Sequence, residues 1–183
     1  MLLTKQVLAA ALSIEKDPKV LKTLTIAIVL QKHLLRKHWR DESVEPQTRV
    51  YADATGLDLS GARAADAYWA KADFTYSDFY RADLSRASFR DSILESAQFR
   101  ESRLLGAVLV NADCNGANFK LADLRGADLS GARLSKTNFD GAKVRDCTIT
   151  GAEFFDNPEA IVDVSESGDG SSTLKVSEWL GQN

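Results

Sequence analysis

The side chains that could carry acid, base or nucleophilic chemistry are few and lie far apart in this sequence. Both histidines, His33 and His38, fall within the first forty residues. They are five residues apart, so a helix does not bring them to one face to share a metal ion. The two cysteines, Cys114 and Cys147, have no partner at metal-ligand spacing. No Ser/His/Asp set can be proposed, because both histidines belong to a predicted N-terminal helix.

Phosphate, metal and nucleic-acid chemistry also lacks a recognisable motif. The sequence contains no glycine loop of the phosphate-binding form and no cluster of metal-ligand residues. The formal net charge is −3, and no block of the chain is basic enough to form a nucleic-acid-binding face. We therefore expect a protein that is not an enzyme, with no catalytic residues, no metal and no cofactor, and without nucleic acid among its partners.

The element that must position the remaining side chains is a five-residue repeat from Leu57 to Asp156. Twenty consecutive pentapeptides align there without insertion or deletion; fourteen begin with Ala, and fifteen have Leu or Phe in third place. A period of five fits neither the 3.6 of a helix nor the 2 of a flat strand. A fixed short repeat is typical of a solenoid, in which each unit contacts only its neighbours.

The units ADFTY, ADLSR, ADLRG, ADLSG and ANFKL resemble the pentapeptide repeat family, whose pattern is A(D/N)LXX. The resemblance implies an all-β solenoid, a right-handed quadrilateral β-helix with four pentapeptides to each square coil. Twenty units then make about five coils, and residues twenty apart stack on one another. At the usual strand spacing the column is about 24 Å long. The first and third residues of each unit point inward, and the others face solvent.

This geometry predicts four interior columns of third-position residues. One face stacks four phenylalanines in succession, which we expect to stack along the axis. In the first coil Trp69 lies beside the small Ala64, so we expect local repacking there. Both cysteines fall at inward positions but at different phases of the repeat, so we expect them to be buried and not disulfide-bonded. The columns are Leu59, Phe79, Phe99, Phe119 and Phe139; Ala64, Leu84, Leu104, Leu124 and Val144; Trp69, Phe89, Leu109, Leu129 and Ile149; and Phe74, Leu94, Cys114, Leu134 and Phe154.

The second residues of the second face form an outward ladder whose charge alternates at every coil. We interpret it as a structural surface device in which neighbouring opposite charges attract, and keep as an alternative a charge-coded docking strip. Its members are Arg63, Asp83, Arg103, Asp123 and Lys143. Seven of the units end in Gly, which indicates turns at the corners of the coil because Gly adopts positive φ without strain.

Outward-facing apolar residues are the candidate partner-binding sites. Leu105, Val108 and Val110 should lie together at one corner of the third coil, whereas Tyr76 and Tyr80 should form a second group. A contiguous apolar group can mark a contact surface, although scattered exposed apolar residues are normal. Partner docking and chance exposure therefore both explain the first group.

The segments on either side of the repeat, residues 1–50 and 157–183, are predicted to cover its ends. Residues 2–16 and 17–40 are expected to form two helices that cap the first coil, followed by a polar linker. The basic end of the second helix, from Lys32 to Arg40, leaves a membrane-surface or acidic-partner site as the alternative. In the tail, Leu174 to Leu180 is a predicted short helix. This helix either covers the last coil or forms a dimer contact, and its Trp179 is one of the candidate partner-binding residues.

Three functional hypotheses follow. The first is a non-catalytic scaffold that binds a protein partner of unknown identity through flat outer faces, with a homodimer through the terminal helices as a variant. The second is a DNA-mimicking regulator or protector of DNA gyrase or topoisomerase, which the resemblance allows. A nearly neutral repeat and an alternating ladder disfavour it, because a DNA mimic needs a sustained negative field. Peripheral membrane association through the basic helix is the third.

A cytoplasmic location is expected from the absence of a convincing export or membrane signal. The longest apolar window, from Val20 to Leu30, is interrupted by Lys22 and is too short to span a bilayer. Lys5 lies inside the apolar stretch at the start of the chain, which disfavours a secretory signal.

Overall fold

The computed structural model describes residues 52–155, 161–165, 168 and 170–180. The helices and linker predicted over residues 1–50 lie outside this part of the chain. The regular elements are β1 (Ala52–Asp53), β2 (Ala72–Asp73), β3 (Ile161–Asp163), β4 (Thr173–Lys175) and α1 (Val176–Leu180). Strand β1 pairs in parallel with β2, twenty residues later, and β3 pairs antiparallel with β4. Between β2 and β3 the chain continues as a solenoid of single β-bridges.

The coils of this solenoid are twenty residues long, as predicted. Parallel bridges join Asp58 to Asp78 and continue at the same spacing to the bridge between Lys143 and Asp163. Backbone hydrogen bonds run with them: the Asp83 N–H donates to the Ala62 carbonyl at 2.8 Å. Each coil therefore holds four pentapeptides, and in every central pentapeptide the N–H groups of the second, third and fifth residues donate to an adjacent coil.

Burial follows the repeat. The first and third residues of the units are buried through nearly all of the column, and the remaining three are half-buried or exposed, with the exception of Ser85. Polar first residues are accommodated by bonding to backbone, since the Ser77 hydroxyl donates to the Ala54 carbonyl at 2.8 Å and the Thr137 hydroxyl to that of Cys114 at 3.0 Å. The interior thus stays free of unpaired hydroxyls while keeping the small side chains that a narrow column requires.

The corners of the coil lie at the fifth residue of every unit. All twenty fifth residues from Gly56 to Gly151 have φ between 55° and 69°, and twelve of them are not Gly. The prediction from the seven unit-ending glycines was therefore too narrow. The left-handed conformation costs a non-glycine residue about 1 kcal/mol, and local bonds offset this cost. At the corner formed by Arg81, the Tyr80 N–H donates to the Asp78 carboxylate at 2.8 Å, and the following Ala82 N–H to the Phe79 carbonyl at 3.0 Å.

The predicted aromatic column is confirmed. Phe79, Phe99, Phe119 and Phe139 stack with ring centroids 4.7, 4.8 and 5.4 Å apart and interplanar angles of 3°, 9° and 8°. All four rings are fully buried. Their spacing follows from the separation of neighbouring strands, which places equivalent residues of adjacent coils close to van der Waals contact.

The first coil is packed differently, as the Trp69/Ala64 pair indicated. The Trp69 ring lies 5.3 Å from Phe74, 5.9 Å from Phe79 and 5.4 Å from Phe89, measured between centroids. The indole is completely buried, and its Nε1–H has no hydrogen-bond acceptor within the described coils. An unpaired buried donor lowers stability, so the large ring is retained here for the volume it fills beside Ala64.

The end of the column departs from the prediction at one place. Phe154 was expected to point inward on the fourth face, but it is 37% exposed, and the next residue, Phe155, is 71% exposed. The described cap covers another part of the last coil: Trp179 of α1 packs edge-on against Phe139, with centroids 5.2 Å apart. A side chain that points inward is buried only where another coil or a cap covers it.

Candidate interaction surface

The structure brings Leu105, Val108 and Val110 together around one corner of the third coil. Leu105 is the fourth residue of its unit, and Val108 and Val110 are the second and fourth residues of the next unit. All three are half-buried, and Val108 is bridged to Ser88 and Asp128 in the adjacent coils. Residues of the adjacent coils cover the sides of these three side chains, so only their outermost atoms are exposed to solvent.

The third face, which carries Val108 and Val110, has the lowest number of charged residues among the four outer faces. Of its ten second- and fourth-position residues, only Arg90 and Asp128 are charged, against five or more on each other face. The Asp128 carboxylate is occupied locally, because it accepts the Ser130 N–H at 3.0 Å and the Ser130 hydroxyl at 2.6 Å. The outward valines were identified from the sequence, and the weakly charged face could also have been found there by counting the charged residues in each column.

The tyrosines of the second candidate group have different surroundings. Tyr76 is at a corner and 67% exposed. Tyr80 is half-buried, with the guanidinium carbons of Arg81 and Arg100 at 4.9 and 5.8 Å from its ring centroid. Its hydroxyl lies 3.4 Å from the Glu101 carboxylate, which also pairs with Arg81 at 2.7 Å. The hydrogen bond from Arg81 holds the pKa of Glu101 below its usual value. Tyr80 thus belongs to a cluster of cation–π and ion-pair contacts.

Trp179 differs from the other candidate residues because its side chain is only 4% exposed. It lies against Phe139 at the end of the aromatic column. Of the two roles predicted for its helix, covering the last coil agrees with its position. A dimer contact through α1 would have to use other side chains of the helix.

Ion pairs on the outer surface form between equivalent positions of adjacent coils. They join Arg86 to Asp66, Arg133 to Asp113, Arg81 to Glu101 and Lys120 to Asp140, at 2.6 to 2.7 Å. These side chains are largely exposed, and such pairs each contribute no more than about 1 kcal/mol. Their common feature is a sequence separation of twenty, which the repeat alone dictates.

The alternating ladder on the second face has the predicted register but not the expected contacts. Asp123 pairs at 2.6 Å with Arg125 of its own pentapeptide rather than with Arg103 or Lys143. Partial burial opposes ionisation of Asp123, yet hydrogen bonds and charge from Arg125, with the charge of Lys143, hold its pKa below the usual value. Within the described part of the chain, Arg63, Arg103 and Lys143 form no ion pair. The neighbour-to-neighbour attraction that we expected is therefore not formed as direct contacts.

Both cysteines are free thiols, as predicted. Cys114 is fully buried, and burial raises its pKa far above the usual value. Cys147 was expected to be buried but is half-buried, and it donates from Sγ to the Leu124 carbonyl at 2.8 Å. Burial raises the pKa of Cys147 to about 12. At neutral pH neither sulfur therefore has appreciable thiolate character.

We expect neither thiol to react with a disulfide reagent at pH 8 while the protein is folded, because the thiolate is the reactive form. Adding the reagent before and after denaturation, and measuring the thiolate released, tests this expectation. Two equivalents should appear only after unfolding. Rapid release of one equivalent from the folded protein would contradict the burial of Cys147.

The described residues provide no site for a metal ion and no membrane span. No group of three or more His, Cys, Asp or Glu side chains among them is placed to hold a metal. None of the helices in this part of the chain is long and apolar enough to cross a bilayer. An open cleft of about 300 Å³ lies between the last coil and β3. Of its two carboxylates, Asp140 pairs with Lys120 at 2.6 Å, and Asp163 accepts the N–H groups of Ser165 and Gly170 at 2.8 and 2.9 Å.

Comparison with protein families supports the identification of the repeat. A family model described as "Pentapeptide repeats" matches eight copies, over residues 55–91, 87–126 and 112–151. Together these segments cover more than half of the chain. The comparison with curated proteins returned no match.

Several solved structures are similar to the chain. HetL, a pentapeptide repeat protein involved in heterocyst differentiation regulation in the cyanobacterium Nostoc, is 27% identical, with 67% of this chain and 64% of HetL aligned and a TM-score of 0.49. A pentapeptide repeat protein of the Arabidopsis thaliana thylakoid lumen is 30% identical, over 64% of this chain and 77% of that chain, with a TM-score of 0.41. QnrB1, a plasmid-mediated fluoroquinolone resistance protein, is 17% identical over 56% and 79%, with a TM-score of 0.28. The aligned region thus covers less than two thirds of HetL.

Proposed function

Because the chain belongs to the pentapeptide repeat family, we propose that it is a non-catalytic scaffold, a right-handed quadrilateral β-helix that binds a protein partner through its outer faces. Its interior is fully used by packing, so side chains available for recognition are restricted to the outer positions. A column of bridged coils presents those side chains at fixed spacing, which reduces the ordering cost of binding.

The observation that carries this proposal is the weakly charged third face beside the apolar corner. Val108 and Val110 lie on it, Leu105 is at its edge, and Tyr68 of the first coil is 40% exposed on the same face. The cores of protein interfaces are depleted in charged residues and contain aromatic side chains. A flat surface with that composition favours a protein partner over a nucleic acid or a metabolite.

We expect Val108→Asp to reduce partner capture by at least tenfold, because it places a charge at the centre of this face, while the melting temperature changes little. Capture from the native extract, followed by mass spectrometry, identifies the partner, and titration of that partner against the variant measures the effect. Ile93→Asp is the matched control: Ile93 is also a half-buried second-position residue, but on the fourth face. Equal capture by the wild type and the Val108 variant would exclude this surface.

The alternative, a DNA-mimicking protector of DNA gyrase, requires a different charge distribution on the surface. A DNA mimic needs continuous negative charge, whereas the second face alternates Arg63, Asp83, Arg103, Asp123 and Lys143. A supercoiling assay with DNA gyrase, with and without a quinolone, separates the two hypotheses. Inhibition or protection at micromolar protein would replace the scaffold proposal, and no effect would reject the gyrase role.

A further inference from the structure

The charged ladder of the second face is longer than the repeat itself. Parallel bridges connect Arg63, Asp83, Arg103, Asp123 and Lys143 in sequence and then join Lys143 to Asp163 of β3. The side chains therefore alternate in sign over six rungs. When a row with an even number of strictly alternating charges is aligned with a reversed copy of itself, every position faces a charge of opposite sign.

The opposite charges of the ladder do not form ion pairs with one another within a single chain. Vertical ion pairs form elsewhere on this surface, at 2.7 Å between Arg86 and Asp66 and between Arg133 and Asp113. In the ladder, by contrast, Arg63, Arg103 and Lys143 form no ion pair with any described residue. Arg63 and Arg103 are exposed, and Lys143 is half-buried. Arg63 and Arg103 thus remain available to an outside group, whereas the side chain of Lys143 lies against Gly168 of the loop after β3.

Symmetry decides what a second copy would present to this face. Two copies can be placed with their second faces in contact by a twofold axis parallel to the column or by one perpendicular to it. A parallel axis that runs along the ladder sets each rung against its own copy, so like charges meet. The perpendicular axis reverses the order of the rungs, so that the third rung meets the fourth. Arg103 then faces Asp123 of the other copy, and Asp83 faces Lys143.

The column at the corner that ends the second face fits the same reversed alignment. Arg86, which is paired with Asp66 in its own chain, would also meet Asp146 of the second copy, and Gly106 would meet Gly126. Both corners are open. A Cβ atom placed on Gly126 would have no other atom within 4 Å, and one placed on Gly106 would lie 3.7 Å from Cγ of Arg86. Two glycines facing each other across the twofold axis allow the columns to approach closely at the centre.

We propose that the second face is a docking surface for a second copy of this chain, in antiparallel orientation, with the twofold axis between the Arg103 and Asp123 rungs. The Asp163 carboxylate is buried and already bonded to Ser165 and Gly170, so the charge pairing rests on the four rungs from Asp83 to Lys143. A shift by two rungs would pair the four rungs from Arg63 to Asp123 instead, but the two faces would then overlap over less of their length. The proposal does not depend on the third-face partner surface.

The size of the face predicts a weak dimer. Five coils at about 4.8 Å, by four residues at about 3.3 Å, give roughly 300 Å² on each copy. Specific stable interfaces bury about 1,200 Å² or more in total, so we expect association only at about 0.1–1 mM protein. Exposed charge pairs are screened by salt, so the dimer should dissociate between 20 mM and 500 mM NaCl.

The alignment can be tested with two charge-reversal variants that should not dimerise alone but should dimerise when they are mixed. Arg103→Asp sets Asp against Asp123, and Asp123→Lys sets Lys against Arg103, so each variant alone should be monomeric. Mixed at equal concentration, they restore an Asp–Lys and an Arg–Asp contact, and the mixture should dimerise to about the wild-type extent. Sedimentation velocity at 0.5 mM and low salt measures each sample. Arg90→Asp, an exposed reversal on the third face, is the control and should leave the wild-type dimer intact.

Several outcomes would overturn the proposal. They are a wild-type chain that stays monomeric at 0.5 mM in 20 mM NaCl, a mixture of the two variants that stays monomeric, or an equal effect of Arg90→Asp. If loss of the Asp123–Arg125 pair unfolds Asp123→Lys, the same logic applies to Asp83→Lys mixed with Lys143→Asp. The partner test with Val108→Asp uses a residue outside the ladder, so failure of either idea leaves the other intact.

Discussion

Replacing Phe119 by Ala should lower the free energy of unfolding by about 3–5 kcal/mol. Phe119 is completely buried, and its ring stacks between Phe99 and Phe139 with centroid distances of 4.8 and 5.4 Å. Removing it leaves a cavity in the middle of the aromatic column, and hydrogen-bonded coils on both sides cannot collapse to fill it. Urea denaturation followed by circular dichroism measures the loss.

Phe155→Ala is the matched control for that experiment. It makes the same chemical change in the same repeat, but Phe155 is 71% exposed, so the loss should stay within about 0.5 kcal/mol. Equal losses at Phe119 and Phe155 would contradict the assignment of the Phe column as the source of stability.

Ala122→Leu should destabilise the protein by about 2–3 kcal/mol, although it adds apolar surface. Ala122 is fully buried, and its N–H donates to the Phe119 carbonyl at 2.9 Å. The first position faces the large third-position side chains across a narrow interior, so three extra carbon atoms must displace Leu124 or the Phe column. Thermal unfolding monitored by circular dichroism, together with the urea midpoint, measures this effect.

Ala65→Leu provides the comparison, because Ala65 is an exposed fourth-position residue of the same repeat. It should change stability by less than about 0.5 kcal/mol. If Ala122→Leu were equally harmless, the interior would be wider than the burial of the first positions indicates.

The interior of the fold could be predicted from the sequence because one repeat length determines it. Once Phe79 and Phe99 are twenty residues apart in a coil of twenty, their stacking follows from strand spacing. Phe154 shows the limit of this reasoning. Its place in the repeat specifies its direction, but its burial depends on the cap that follows, and the repeat contains no information about the cap.

The ion pairs of the outer surface were less predictable, because several possible partners lie within reach of each charged side chain. Asp123 can reach Arg103, Lys143 or Arg125, and a spacing rule does not rank them. In the structure Arg125, two residues away, is the partner at 2.6 Å. The left-handed corners were also missed at residues such as Tyr76 and Leu121, because turn formation by backbone hydrogen bonds does not require glycine. The charge of a whole face, by contrast, was readable from the sequence once residues were grouped in columns.

The twenty-residue coil also limits how the gene for this chain can change in length. Inserting or deleting one pentapeptide between the units of Arg103 and Phe119 preserves the inward and outward alternation but turns every later unit by a quarter of a coil. Phe119 and Phe139 would then no longer stack above Phe99, and the charged ladder would be divided between two faces. Duplicating twenty residues lengthens the column and leaves each face aligned, although it adds one charge to the ladder. Growth by forty residues preserves both the alignment and the even number of alternating rungs.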